Sequence, residues 1–204
     1  MTYLAIKDKL PLQWLSQEEQ ALLLCRGLGD RAKPVAEAAV RMLEAWLEGP
    51  CSGEPLVLLH SLGVQEHPEE SEMAIKALLA GDKLNAVHLG KLAESDSLAL
   101  RQDFEAPDAE LLSPASALFW RIVCEWLNSE AASKGLAAAS TAGAAASVEA
   151  AVAGDRLEAL EAALPLTVED MTTIIAKHAQ ARHLQLGRVC LLKAAGCFSL
   201  PRAR

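Results

Sequence analysis

At 204 residues, 51% hydrophobic but only 4% aromatic, the chain is long enough for one or two domains or for several stacked helical pairs. β-Branched runs are few and no stretch alternates, which excludes a sizeable sheet; no apolar run reaches the roughly 18 residues of a membrane span. The charge of −8 is lopsided: up to Asp170 there are 27 acidic against 13 basic residues (net −14), and after it six basic residues and no acid (net +6).

Residues 1–15 carry Leu4, Ile6, Leu10, Leu12, Trp14 and Leu15 around Pro11, and read as an N-terminal extension or the remnant of a preceding helix. Ser16-Gln17-Glu18-Glu19 matches a capping box, in which the serine hydroxyl and the glutamate three residues on satisfy each other's backbone N–H. It opens the stretch around which the chain is organised, residues 21–47: one apolar helix, a turn, and a second apolar helix. Leu22, Leu23 and Leu28 are expected to line the first; Val35, Ala38, Ala39, Met42, Leu43 and Trp46 line the second at helical steps. Gly27, Gly29, Asp30 and Pro34 supply the turn chemistry: glycine for a left-handed C-cap, aspartate to accept from open N–H groups, proline for a first turn. Two such helices cannot bury both faces alone, so stacked neighbours are implied.

The loop Glu48–Pro55 leads to a short helix, Leu56–Leu62, stopped by Gly63. Pro68 then starts a helix to Ala80, with Met73, Ala74, Ala77 and Leu78 as its face, so that the two read as a second hairpin. Gly81-Asp82-Lys83 is a turn; Leu84–Leu100 has a patchy helical face (Leu84, Val87, His88, Leu92), and Asp96–Leu112 reads as a loop between helices. Ser113-Pro114 opens the most apolar helix, Ala115–Leu127. Apolar residues surround it almost completely, so it is expected to be sandwiched, with Phe119, Val123 and Trp126 as core packing rather than an aromatic ligand box. Residues 131–146 read as a low-complexity Ala/Ser/Gly loop, followed by a helix from about Ser147 to Ala163 and another from Thr167 to about Ala181. A last helix, His183–Ala195, ends in a basic tail, 196–204. The fold class predicted is all-α: a solenoid of antiparallel helical hairpins over residues 16–195.

Catalytic signatures are missing. There is no GxSxG elbow, HExxH, GxGxxG or GxxxxGKS/T, and paired acids such as Glu18-Glu19 and Glu69-Glu70 sit in first turns, where the helix dipole explains them. His178 and His183 are one residue off the spacing that shares a helix face. Cys25, Cys51, Cys124, Cys190 and Cys197 form no CxxC pair and read as buried thiols in a reducing compartment. The expectation is a soluble intracellular protein that is not an enzyme and needs no cofactor or metal.

Two blocks, CRGLGDRAKPVAEAAVRMLEAWLEG (25–49) and PLVLLHSLGVQEHPEESEMAIKALLAG (55–81), resemble the HEAT-repeat G subunit of condensin, the condensin subunit 3 family. Leu28, Asp30, Arg31, Val35, Trp46 and Leu47 fit that family's first pattern. Leu58, Leu59, Leu62, Val64, Pro68, Glu69, Ile75 and Leu78 fit its second. LLSPASALFWRIVCEWLNS (111–129) and SVEAAVAGDRLEALEAALP (147–165) are similar to later family blocks in the same order. The chain departs at Ala32, Ala36 and Gly63, where the family has serine, a basic residue and aspartate; these changes touch turns and a basic contact, not the apolar face. The resemblance covers a middle part of a longer solenoid, so an end-exposed apolar surface is expected.

What the resemblance implies is a non-catalytic condensin subunit in the nucleus and on chromosomes, with the cytoplasm as the alternative outside mitosis. It would bind the kleisin subunit, and through it the SMC ATPase subunits, and help hold DNA during mitotic chromosome condensation. The charge pattern adds its own expectation: if DNA is bound, Lys177, Arg182 and Arg188 in the basic end carry the contact. The bland alternatives are a solvated face on a terminal helix and a helical-repeat adaptor that binds only proteins.

Overall fold

The computed structural model describes residues 12–101, 111–140 and 148–180. Among them the chain is helical throughout, with no strand, as the composition predicts. After a 3-10 turn at Leu12–Trp14 come α1 (Gln17–Leu28), α2 (Lys33–Glu48), α3 (Pro55–Ser61), α4 (Pro68–Ala80), α5 (Ala86–Ser95), α6 (Ser97–Arg101), α7 (Pro114–Ser140), α8 (Val148–Ala162) and α9 (168–180). The expected last helix, the basic tail, residues 1–11 and the 102–110 segment lie outside the described residues.

Local chemistry sets most of the boundaries. The Glu19 N–H donates to Ser16 Oγ (3.2 Å) and the Ser16 N–H to Glu19 Oε2 (2.8 Å), which closes the capping box of α1. In the α1–α2 turn the Ala32 N–H donates to Asp30 Oδ1 at 2.7 Å, the role expected of that aspartate. Gly29 does cap α1, but for a different reason from the one anticipated. Its φ is −84°, not left-handed; what demands glycine is space, since a Cβ there would stand 2.8 Å from the Cys25 carbonyl oxygen. Gly63, by contrast, has φ +66°, and a Cβ on it would sit 2.7 Å from Gln17 Oε1. Aspartate at 63 would be strained by that backbone conformation, whereas the Gln17 amide is the far end of a flexible side chain and can move aside.

Packing then arranges the helices. α1 lies against α2 and α4, α4 continues onto α7, α2 also reaches α4, and α3 touches α2 and α7. α8 packs on α5 and α7. This stacking fits an α-solenoid. The second hairpin, however, is not a simple pair: the main neighbours of α4 are α1 and α7 rather than α3. The cause is its wide apolar surface, in which Ala74, Ile75, Leu78 and Leu79 are all fully buried, together with Ser71. Two-turn α3 cannot cover so much.

Three further expectations are corrected. Leu22 is 50% exposed, and its neighbour Leu24 is the residue at the centre of the core. Val87, expected on the inner face of α5, is 64% exposed; Leu84 and Leu92 are buried as expected, and Leu89 takes the place of Val87. The low-complexity loop expected from 131 is helical as far as Ser140, because α7 runs unbroken for 27 residues. Alanine has the highest helix propensity of any residue, and one internal glycine costs only about 1 kcal/mol against a long run of it. Residues 141–147 lie outside the described residues.

The first half of α7 is sandwiched as predicted. Phe119, Trp120, Ile122, Val123, Cys124 and Leu127 are all buried, with Trp126 half-buried, and the Phe119 and Trp120 rings meet edge-to-face at 5.4 Å.

Candidate interaction surface

The basic end can be followed as far as α9. Thr167 caps this helix, with the Asp170 N–H donating to Thr167 Oγ1 at 3.2 Å. Met171, Ile175 and His178 face the core, which leaves Lys177, next to the buried His178, exposed. Arg182 and Arg188 lie outside the described residues, so of the three predicted DNA contacts only Lys177 is placed.

His178 itself, read from the sequence only as one residue off the spacing that would pair it with His183, holds a structural junction. It is 2% exposed, its Nδ1 accepts from the Leu112 N–H at 3.3 Å, and its Nε2 lies 3.1 Å from the Ala99 carbonyl oxygen. With Nδ1 accepting, the neutral ring carries its proton on Nε2 and donates it to Ala99. One ring thus ties α9 to the start of α7 and to α6. Nearby, Asp96 at the end of α5 accepts from Trp120 Nε1 (2.8 Å) and from Ser116 Oγ (3.3 Å).

Several cations on the described surface are paired. Glu72 holds Lys76 (2.6 Å) and Arg121, which also reaches Glu125. These partners, Lys76 first, keep the Glu72 carboxyl below its ordinary range. Glu44 holds Lys83 at 2.6 Å. Arg156 pairs with Asp82, donates to the Leu79 carbonyl and lies 5.3 Å from the Trp126 ring centroid, so it fastens α8 to the end of α4. These contacts make seams between helices rather than a binding face.

Lys91 on α5, like Arg26, Arg31 and Arg41, is outside these pairs. No carboxylate among the described residues stands within ion-pair distance of it, and it faces a cleft of about 380 Å³ between α5 and the segment 52–56. α5 contributes His88, Lys91, Leu92 and Ser95, one helical stripe. The opposite wall runs from Ser52 to Leu56 and includes two consecutive left-handed residues, Ser52 (φ 54°) and Gly53 (φ 76°). For serine that conformation costs roughly 1–3 kcal/mol, so the wall is held in shape by its surroundings. The Gly53 N–H donating to the Leu47 carbonyl at 2.7 Å is part of that hold. His88 is oriented by its own cap: the Asn85 N–H donates to His88 Nδ1 at 3.3 Å, while Asn85 Oδ1 accepts from the Val87 and His88 N–H groups. Nε2–H is left as the donor of the ring, on the side of Gly53, where a Cβ would stand 3.7 Å away. Burial, and then the Lys91 cation, push the His88 pKa below 6.5. The sequence signal for this site was Asn85 three residues before His88, a polar variant of the capping box that an apolar-face reading overlooks.

The cysteines divide. Cys51 and Cys124 are buried free thiols, and burial pushes Cys124 up to about 11, which leaves no thiolate at neutral pH. Cys25 is exposed, against expectation. Among the described residues no three His, Cys, Asp or Glu side chains are grouped to hold a metal, and no helix is long and apolar enough to cross a membrane.

Against known proteins, the chain is 29% identical over 131 residues to condensin complex subunit 3 of Xenopus laevis, and 29% identical over 131 residues to that of Homo sapiens. The chain is similar to condensin complex subunit 3. The matched stretch covers 64% of the chain and 12% of each relative, so the chain spans a small part of the length of the curated relatives it matches. This bears out the partial-length resemblance read from the four sequence blocks. No protein-family model matches the chain, and no solved structure matches it.

Proposed function

We propose that the chain is a non-catalytic helical-repeat component of a condensin-type complex. The observation that carries this is the similarity to condensin complex subunit 3 over 131 residues, in a chain that stacks its helices side by side. In finer terms, it binds the kleisin subunit and through it the SMC ATPases, and works in the nucleus on chromosomes. It adds a sequence-independent DNA contact through Lys177, Arg182 and Arg188. Co-expression with the kleisin of the same source, followed by pull-down and size-exclusion chromatography, tests the first part: a salt-resistant one-to-one complex supports it, and a folded chain that ignores the kleisin removes it. For DNA, affinity should fall steeply with ionic strength, and reversing the three charges should abolish it; unchanged affinity rejects those residues.

A second reading, an adaptor that binds only proteins, is favoured by one feature. Between Arg41 and Lys76 lie Glu44, Glu48, Glu54, Glu66, Glu69, Glu70 and Glu72, with no Lys or Arg. Such a stretch repels a polyanion.

A further inference from the structure

We propose that the cleft between α5 and the 52–56 segment is a docking pocket for a short acidic segment of a protein partner. The partner seats an apolar side chain on Leu56 and Leu92 and places a carboxylate against Lys91 and the Nε2–H of His88. This goes beyond condensin membership and does not depend on it.

Size, charge and preorganisation all bear on the occupant. A volume of about 380 Å³ lies at the small end of the range of ligand pockets, right for one or two side chains and too small for a helix. Its lining mixes apolar surface from Pro55, Leu56 and Leu92 with two donors on α5, Lys91 and His88. Lys91 is the only cation in that lining, and its charge has no carboxylate partner among the described residues, unlike Lys76, Lys83, Arg121 and Arg156. Neutral His88, its Nδ1 fixed by the Asn85 N–H, offers a single directed donor and adds no second charge. The site therefore suits one carboxylate rather than a run of phosphates.

The acids nearby set the same limit. Glu54 is the one carboxylate in the lining, and Glu48 is close enough to act on His88. Both belong to the acidic run without Lys or Arg, which disfavours a nucleic acid laid across this surface. A peptide can aim one carboxylate at Lys91 and keep the rest of its chain away from Glu54. The left-handed Ser52-Gly53 wall holds the cleft open without a ligand, so little ordering is needed on binding.

The test is an NMR titration of the isotope-labelled full chain with three acetylated, amidated hexapeptides. Each contains one leucine, followed by two glutamates, two glutamines or two lysines. The glutamate peptide should shift the His88 ring and Ser95 amide signals and leave Leu24, in the core of α1, unmoved. Lys91→Glu should weaken it about tenfold, the loss expected for a charge-assisted hydrogen bond, whereas Lys91→Arg should retain it. Ser95→Phe, which fills the cleft from an exposed position, should abolish the response. Unmoved His88 signals, equal binding of the glutamine or lysine peptide, or a response to inorganic phosphate that the glutamate peptide does not reproduce would each overturn the proposal.

Discussion

The block formed by α1, α2 and α4 and the junction of α5, α6, α7 and α9 are held together by different means. In the first, side chains such as Leu24, Met42, Leu43, Ile75 and Leu78 are completely buried, and most polar chemistry sits in caps and turns, apart from buried Ser71 and from Gln20, whose Nε2 donates to the Leu12 and Leu15 carbonyls. In the second, α5 and α6 are short and weakly patterned, and directional bonds add to apolar packing in fixing their relation to α7 and α9: Asp96 to Trp120 and Ser116, and His178 to Leu112 and Ala99. Apolar burial is strong but indifferent to small rotations, whereas a buried hydrogen bond specifies one arrangement and is costly to leave unmade. A solenoid can rely on burial where long helices stack regularly, and gains polar clamps where five-residue α6 interrupts the stack.

The sharpest way to break this contrast is to delete apolar volume from the first block. Leu78→Ala, in the helix that touches both α1 and α7, should cost about 2–5 kcal/mol in urea unfolding with m unchanged. A loss under 1 kcal/mol would mean that burial there is not what holds the stack. Next in size is the clamp. His178→Leu removes the ring's bonds to the Leu112 N–H and the Ala99 carbonyl and should cost about 1–3 kcal/mol; amide exchange at Leu112 should accelerate more than at Leu24. If both amides responded equally, the junction would not be a separate unit.

Trp120→Phe keeps the ring packing but removes the donor to Asp96, for an expected loss of about 1–3 kcal/mol. Combining it with Asp96→Asn in a double-mutant cycle should recover part of that loss; strict additivity would deny the bond any role. Smaller again, Ser16→Ala removes the cap of α1 and should cost about 1 kcal/mol by thermal or chemical unfolding, with no change at the junction.

The smallest effects are those of pH, and they separate two surfaces by the range of acid pH in which each acts. The folded pKa of His88 is depressed below 6.5, so the unfolded chain binds more protons there, and stability falls as pH drops from about 6.5 toward the folded value. Glu72 is held below 4.5 by Lys76 and Arg121; its contribution is present above 4.5 and disappears as pH falls through its folded pKa. Melting curves of His88→Gln, which keeps a capping-box partner, should lose the first dependence and retain the second. An unchanged profile between pH 7 and 5.5 would show that His88 is not the group responsible.

The amino-acid sequence by itself determined the all-α class, the capped start of α1, the proline-led starts of α4 and α7, and the inward face of α2, whereas Pro55, read as the end of a loop, proves to be the first residue of α3. These are local matters: a cap or a proline acts within one turn, and a 16-residue helix repeats its apolar stripe often enough to define a direction. The similarity to condensin complex subunit 3 was legible for the same reason, because block order survives where individual letters have changed. Only the tertiary structure decided which of three adjacent leucines enters the core, why α4 turns from α3 to α1 and α7, and how far α7 continues through its alanines. Packing chooses among faces that α1 and α4 leave equally apolar. The candidate cleft and the His178 clamp were hidden for a related reason. Each joins residues far apart in the chain, Ser52 to Lys91 and Ala99 to His178, and no local rule of spacing connects them.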